Sequence, residues 1–353
     1  MKNILITGSH GYIGSVISPE LKSLGYNIVA IDNGYFIDCK TSNQFKDIPF
    51  TKKNVDQISK DDLKDIDVVI HLAGMQNDPL KSTLPGKVYD IEFGYSKKLA
   101  QICKELKIKF IFASSCSVYG TGSNSLLNEE SKVNPLTPYS HNKLKTEDYL
   151  ISISDKNFKP IILRFATVYG YSPRLRLDLY INMFAGMALT DKKIKLNSDG
   201  LAWRPNLYIG DISSVLDCLI NINFKEPTII NVGNQDSNDQ VVNVVKIIKN
   251  IERNITTKFL KPDKSSLYGD QYVTSNKDKR SYKVDFSKLN RIVGKAVCKT
   301  DLNNGIKKLI SSLKELKGLN QKIKDEKFFR LQWIQKLINE NLIDYSLNYN
   351  NKK

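Results

Sequence analysis

Glycines at positions 8, 11 and 14 stand between a short apolar run, Asn3-Ile4-Leu5-Ile6-Thr7, and a stretch of helical character that reaches Leu24. A second apolar run from Asn27 to Ile31 follows and closes on Asp32. This order of strand, glycine-rich turn, helix and strand constrains the fold more than any other feature of the chain. A turn without side chains lets the backbone approach a pyrophosphate, and the start of the helix adds free N–H groups and a partial positive charge. The spacing is G-x-x-G-x-x-G, not the more general G-x-G-x-x-G, so the glycines alone also fit a plain structural turn.

Asp32 sharpens the reading. It lies eighteen residues beyond Gly14, at the end of the second strand, where a carboxylate can accept both hydroxyls of an adenosine ribose and would repel a 2′-phosphate. No arginine occurs in the following Asn33-Gly34-Tyr35. NAD is therefore expected in preference to NADP.

Further apolar runs occur at Val68-Val69-Ile70, Phe110 to Ala113 and Pro160 to Leu163, with helical patterns near 94–107 and 139–154. Strands alternating with helices predict an α/β fold, a Rossmann-type doubly wound parallel sheet. After about residue 170 the pattern changes. A Pro/Arg-rich stretch from Tyr171 to Arg176 precedes a helix near Leu179–Leu189, short strands near 193–196 and 228–232, a helix near 239–253 and a polar loop over 262–280. The expected division is a cofactor-binding domain over 1–170, with some later segments returning to it, a smaller C-terminal α/β substrate domain over 171–312 and a helical extension over 313–353. The extension carries one amphipathic helix with Phe328, Phe329, Leu331, Trp333, Ile334, Leu337 and Ile338. Packing or assembly is the only role its sequence suggests.

The net charge of +16 raises the question of a polyanionic partner. The lysines, however, are spread along the chain and often stand beside acids, as in Lys60-Asp61-Asp62 and Lys324-Asp325-Glu326-Lys327. That is a solvated surface, and neither a basic arm nor a nucleic-acid module is evident. No apolar run approaches the length of a membrane span, and the first residues enter a strand, so a cytoplasmic protein with no membrane partner is expected. Cys39, Cys103, Cys116, Cys218 and Cys298 are odd in number, scattered and without a C-x-x-C pair, which predicts free thiols and no metal site.

Tyr139 and Lys143 are four residues apart at the start of a helix, hence on one face. A phenol with an ordinary pKa of about 10 becomes a usable base when an ammonium stabilises the phenolate. Alone, the pair also fits an exposed helix surface. Upstream, FASSCSVYG (112 to 120) empties a buried strand into Ser114, Ser115 and Ser117 at the carboxyl end of the sheet, where such folds bind ligands.

Taken together, GSHGYIG (8 to 14), Asp32-Asn33, HLAG (71 to 74), SSCSVYG (114 to 120), Tyr139-x-x-x-Lys143, LRFATVYG (163 to 170), WRPNLYIGD (203 to 211), INVG (230 to 233) and Arg280 resemble the extended short-chain dehydrogenase/reductases of the nucleotide-sugar epimerase/dehydratase family. The similarity runs to about residue 312. It implies that Tyr139 is the general base toward a sugar hydroxyl, that Lys143 lowers its pKa and binds the nicotinamide ribose, and that Ser115 hydrogen-bonds the reacting oxygen. It implies NAD contacts from Gly8, Gly11, Tyr12, Ile13, Gly14, Asp32, Asn33, Asp56, Leu72, Ala73, Gly74, Tyr139 and Lys143. On the substrate side it implies Ser115, Ser117, Tyr139, Thr167, Arg204 and Arg280, the two arginines meeting nucleotide phosphates or else serving as structural ion-pair partners. Asp56 beside the adenine has an exposed loop aspartate as its alternative. Arg174 and Arg176 fall in a loop resembling the substrate side, His71 reads as structural, and Gln76, Asn77 and Asp78 are pocket candidates.

The chain departs from the family pattern in places. Cys116 and Ser117 replace the Asp-Glu pair of 4,6-dehydratases, which makes elimination an unfavoured chemistry. Thr167 and Glu92 occupy positions where asparagine is usual. The expected activity is NAD-dependent redox at C4 of a UDP-, GDP- or dTDP-linked sugar, with 4-epimerisation leading. Net C4 oxidation or 4-keto reduction would use the same residues, and a non-catalytic NAD or nucleotide-sugar sensor is the reading from another class. FATVYGYSPRLRLDL (165 to 179) resembles members from bacterial surface-polysaccharide pathways. Family members usually dimerise through the two helices expected near 94–107 and 139–154, where Leu99, Ile102, Leu106, Leu144, Leu150 and Ile151 would either build a homodimer bundle or face the chain's own core.

Overall fold

The computed structural model of the chain describes residues 1–41, 48–75, 87–260 and 280–350. The proposed pocket residues Gln76, Asn77 and Asp78, and all of the expected loop 262–280 except Arg280, lie outside these.

Seven parallel strands form the main sheet: β1 (Asn3–Thr7), β2 (Asn27–Asp32), β3 (Phe50–Lys52), β4 (Val68–His71), β5 (Lys109–Ser115), β7 (Ile161–Phe165) and β11 (Thr228–Val232), in the order β11-β7-β5-β4-β1-β2-β3. The chain starts in the middle, winds out to β3, then returns across β1 to build the other half from β4. The point of reversal lies between β1 and β4, where neighbouring strand ends part and a ligand crevice opens.

The central strands are mainly apolar because both faces are covered. Alternation then sorts the side chains. Ile4, Ile6, Val68, Ile70, Ile111 and Ala113 join a core with Ile17 and Leu21 of helix α1 (Gly14–Ser23). Leu5, Val69, Phe110 and Phe112 point the other way, onto Leu99 and Cys103 of α2 (Lys87–Glu105) and Leu150 of α3 (Pro138–Ser152). Helix α2 begins well before residue 94, where the sequence pattern first becomes periodic. Leu99 and Leu150, two of the apolar residues considered for a dimer bundle, are spent on this core, whereas Leu106 and Ile151 are exposed.

The second half of the chain is interleaved with the first. β11 adds the seventh strand to the main sheet, and Val215, Leu216 and Leu219 of α5 (Ile212–Asn221) complete the core beneath α1. A separate core gathers α4 (Tyr180–Thr190), α6 (Val241–Ile251) and α8 (Leu302–Glu315). Small sheets hold the remaining strands. β8 (Thr167–Tyr169), β10 (Trp203–Tyr208) and β12 (Asn238–Gln240) form one, β9 (Lys193–Leu196) pairs with β13 (Thr256–Phe259), and β6 (Thr121–Leu127) pairs with β14 (Ser281–Val284). Short helices α7 (Ser287–Val293) and α9 (Leu319–Lys322) lead to α10 (Arg330–Asn339).

The terminal extension bridges both halves. Phe328 and Phe329 enter the core of α4, α6 and α8, while Trp333, Ile334, Leu337, Ile338 and Leu347 pack on Tyr35, Phe36, Cys39 and Met75. All five cysteines are free. Among the described residues no helix is long and apolar enough to cross a membrane, and no acidic, histidine or cysteine cluster has the makings of a metal site.

Candidate active site

A cleft opens at the carboxyl ends of β1, β2 and β4. Gly8, Gly11, Tyr12, Ile13, Gly14, Asp32, Asn33, Asp56, Leu72, Ala73 and Gly74 line it, so the structure gathers these sequence-selected residues into one cavity. Two of the glycines have no substitute. Gly8 turns with φ of +69°, and a Cβ there would sit 2.9 Å from Ala73 Cα. A Cβ on Gly14 would sit 2.2 Å from the Gly8 carbonyl oxygen, so only a bare α1 start can pack under the turn.

Asp32 is buried at the end of β2 and held from two sides: His10 N–H donates to Oδ2 at 3.0 Å and Gly34 N–H to Oδ1 at 2.8 Å. Burial pushes its carboxyl above the ordinary range, opposed by those two bonds and by the charges of Arg174 and Arg330. Each oxygen of this fixed carboxylate keeps further acceptor capacity toward the cleft. A side-chain-free turn, an anchored acid and the apolar wall Leu72–Ala73 fit a dinucleotide whose adenosine ribose meets Asp32. Asp56 stands exposed on the rim, its carbonyl accepting from Lys98.

The catalytic candidates are set by α3. Thr137 caps it, its Oγ1 accepting from Ser140 N–H at 3.2 Å while Thr137 N–H donates to Ser140 Oγ at 3.0 Å, and Pro138 fills the first turn. This places Tyr139 at the very start of the helix, with Lys143 Nζ 5.8 Å from its ring centroid. Lys143 is buried and reaches the cleft wall: a Cβ on Gly74 would lie 3.4 Å from Nζ. Glu92 of α2 meets it, with Oε1 3.4 Å from Nζ and Oε2 accepting from Met75 N–H at 3.2 Å. The glutamate that replaces an asparagine thus lies in the second turn of α2, not at its start, and serves as counter-ion to the site lysine.

Sequence reasoning missed the brace behind this helix. Glu147, on the same face as Tyr139 and Lys143, receives Arg164 Nη2 of β7 at 2.7 Å and the hydroxyl of Ser114 at the end of β5. Arg164 Nη1 also donates to the Tyr119 hydroxyl at 3.0 Å. An arginine inside an otherwise apolar strand and a glutamate one turn beyond Lys143 were the available signals. Buried, fully paired groups of this kind lock α3 to two strand ends.

Ser115 and Ser117 lie at that strand end, and Ser115 Oγ accepts from Ser117 N–H at 3.1 Å. The Ser117 hydroxyl is buried and finds no partner among the described residues. Cys116 is buried with its thiol on the Arg164 carbonyl at 3.1 Å, and burial raises its pKa, so no acid stands there. His71 is a core residue, 2.7 Å from Thr7 Oγ1 and 2.9 Å from Ser96 Oγ.

The remaining candidates divide. Thr167 lies in β8 opposite Asn206 of β10, while Arg204 donates to the Arg280 carbonyl, bringing both proposed phosphate contacts to the β10–β14 region outside the cleft lining. Arg176 lines the cleft and is paired in a fork with Asp178 at 2.9 and 2.8 Å. Ser346, Leu347, Asn348 and Arg330 also line the cleft, a contribution of the terminal extension that the sequence did not disclose.

The chain is similar to known proteins over most of its length. An uncharacterised UDP-glucose epimerase of Bacillus subtilis, YtcB, is 31% identical over 268 residues, covering 70% of this chain and 81% of the relative. A dTDP-D-glucose 4,6-dehydratase of Dictyostelium discoideum is 30% identical over 279 residues, covering 71% of this chain and 62% of the relative. Among solved structures, the UDP-glucuronic acid 4-epimerase of Bacillus cereus, in complex with UDP-glucuronic acid and NAD, superposes with a TM-score of 0.74 at 25% identity, over 89% of this chain and 99% of that one. The family model for the NAD dependent epimerase/dehydratase family matches residues 4–233, and the chain belongs to that family.

Proposed function

We propose that the protein is an NAD-dependent nucleotide-sugar 4-epimerase. The observation that carries this is Lys143, held by Glu92 at the wall of the dinucleotide cleft with Tyr139 one helical turn away. Bound NAD supplies a hydride acceptor that can return what it takes. Tyr139 accepts the proton of the C4 hydroxyl and gives it back, with the Lys143 ammonium favouring the phenolate. Ser115 orients the reacting oxygen, Ser117 contacts the substrate beside it, and Thr167, Arg204 and Arg280 hold the nucleotide part of the substrate. The similarity to 4-epimerases supports this reading, and elimination is disfavoured because Cys116 and Ser117 present no acid.

We further propose a UDP-sugar as substrate in preference to GDP- or dTDP-sugars, since the B. cereus and B. subtilis relatives are named for UDP-linked compounds. Action in surface-polysaccharide synthesis rests on the resemblance of residues 165–179. Five free thiols suit the reducing cytoplasm. A homodimer is supported by Ile91, Leu106 and Ile151 exposed on α2 and α3, and light scattering tests it.

The test is incubation with UDP-, GDP- and dTDP-sugars followed by NMR of the products, together with mass spectrometry of the purified protein to count co-purified dinucleotide. A C4 epimer formed without added NAD is expected. Accumulation of NADH with a 4-keto product would replace epimerisation by net dehydrogenation, and binding without any turnover would leave the sensor.

A further inference from the structure

The terminal extension carries a buried charge that its own packing does not use. Arg330 opens α10, is 6% exposed and lines the dinucleotide cleft. Its backbone N–H points to Asp178 Oδ2 at 3.4 Å, and its guanidinium lies 5.2 Å from the Phe36 ring centroid. Nε and Nη1 are buried and find no hydrogen-bond partner among the described residues. A buried guanidinium with idle donors is costly, so such donors mark an acceptor that arrives from outside.

The surroundings say what charge that acceptor has. Arg174, on the other contact with Phe36 at 4.2 Å, leaves Nε and Nη2 without partners among the described residues, and Arg176 completes a group of three guanidiniums. Asp178 is bound in a fork to Arg176, and Asp32 is held by backbone N–H groups. Among the described residues three cations therefore share two carboxylates, and burial together with the mutual repulsion of the arginines drives the Arg330 pKa well below the ordinary arginine value. An anion would relieve that field. Arg330 lines the same cleft as Asp32 and as the turn from Gly8 to Gly14 that opens α1. A helix start of that kind is where a pyrophosphate is held.

We propose that Arg330 is a ligand of the cofactor pyrophosphate, supplied by the terminal extension. The inference rests on the NAD reading of the cleft but not on epimerisation. The extension has a second hold on the same site: Leu347 lines the cleft while its carbonyl accepts from the Tyr35 hydroxyl, and Trp333 Nε1 donates to the Tyr35 carbonyl at 2.7 Å. The cofactor is thus gripped by a segment far in sequence from the glycine turn.

The experiment compares ADP with adenosine as probes, by calorimetry on the full chain and on its Arg330→Gln and Arg330→Lys variants. The variant Arg330→Gln should bind ADP about 10- to 100-fold more weakly, the worth of a charge-assisted bond, with adenosine changed less than about twofold. Arg330→Lys should recover part of the loss. Equal losses for both probes, or none, would overturn the proposal. Should the variants not fold, hydrogen exchange on the wild-type chain decides: ADP should protect amides 328–333 and adenosine should not, and equal protection or none refutes the assignment. Failure of the wild-type chain to bind ADP or NAD would instead bring down the cofactor reading itself.

Discussion

Lys143 Nζ lies 3.4 Å from Glu92 Oε1, and both side chains are almost wholly buried, at 2% and 4% exposure. The pair ties α3, which carries the catalytic candidates, to α2 across the top of the sheet. Removing one charge of a buried pair leaves the other uncompensated, at a cost of about 3–5 kcal/mol. Glu92→Gln keeps the shape and removes the charge, so urea unfolding should show a loss of that order. The same variant should bind NAD more weakly, because Lys143 is no longer fixed at the cleft wall.

Tyr139→Phe should lower turnover by about 10²- to 10⁴-fold, the usual worth of a general acid–base group. Binding of NAD and of the nucleotide sugar, followed by calorimetry, should be nearly unchanged. An unaltered rate would remove Tyr139 from the mechanism.

The start of α3 depends on one hydroxyl. Thr137→Ala deletes the acceptor for Ser140 N–H and should cost about 1 kcal/mol of stability. Since Tyr139 sits in the turn that would fray, kcat should fall by more than the stability loss predicts for a distant site. Thr137→Ser should restore both.

His71 sets part of the acid sensitivity. Burial and the nearby Lys143 charge lower its pKa to about 3, from 6.5 in an exposed histidine. The unfolded chain therefore binds a proton that the folded one refuses, and stability present above pH 6.5 is lost as pH falls toward 3. Each such proton contributes a slope of about 1.4 kcal/mol per pH unit. The variant His71→Gln should be less stable at neutral pH, having lost the ring's bonds to Thr7 and Ser96, yet its stability should fall between pH 6 and 4 with a slope shallower by about that amount. Parallel slopes in urea titrations of the two proteins would contradict this.

What a local pattern can encode was readable without coordinates. Gly8, Gly11 and Gly14 between a strand and a helix, Asp32 at the next strand end and Tyr139 four residues before Lys143 each lie within a few tens of residues, and each specifies its own backbone conformation or helix face. The strands β1, β2, β4, β5 and β7 followed from their runs of apolar residues in the same way, and so did β9 and β11 as strands, whereas β3 and β6 carry no such run. Tertiary structure alone decided the rest: that β11 closes the main sheet, that Leu99 and Leu150 serve the core, that Glu92 neutralises Lys143, and that Arg330 reaches a cleft begun at Gly8. In each of these a charge or an apolar face finds its partner across a long stretch of chain. The energy that selects the partner comes from burial, which no single segment possesses before the others fold around it.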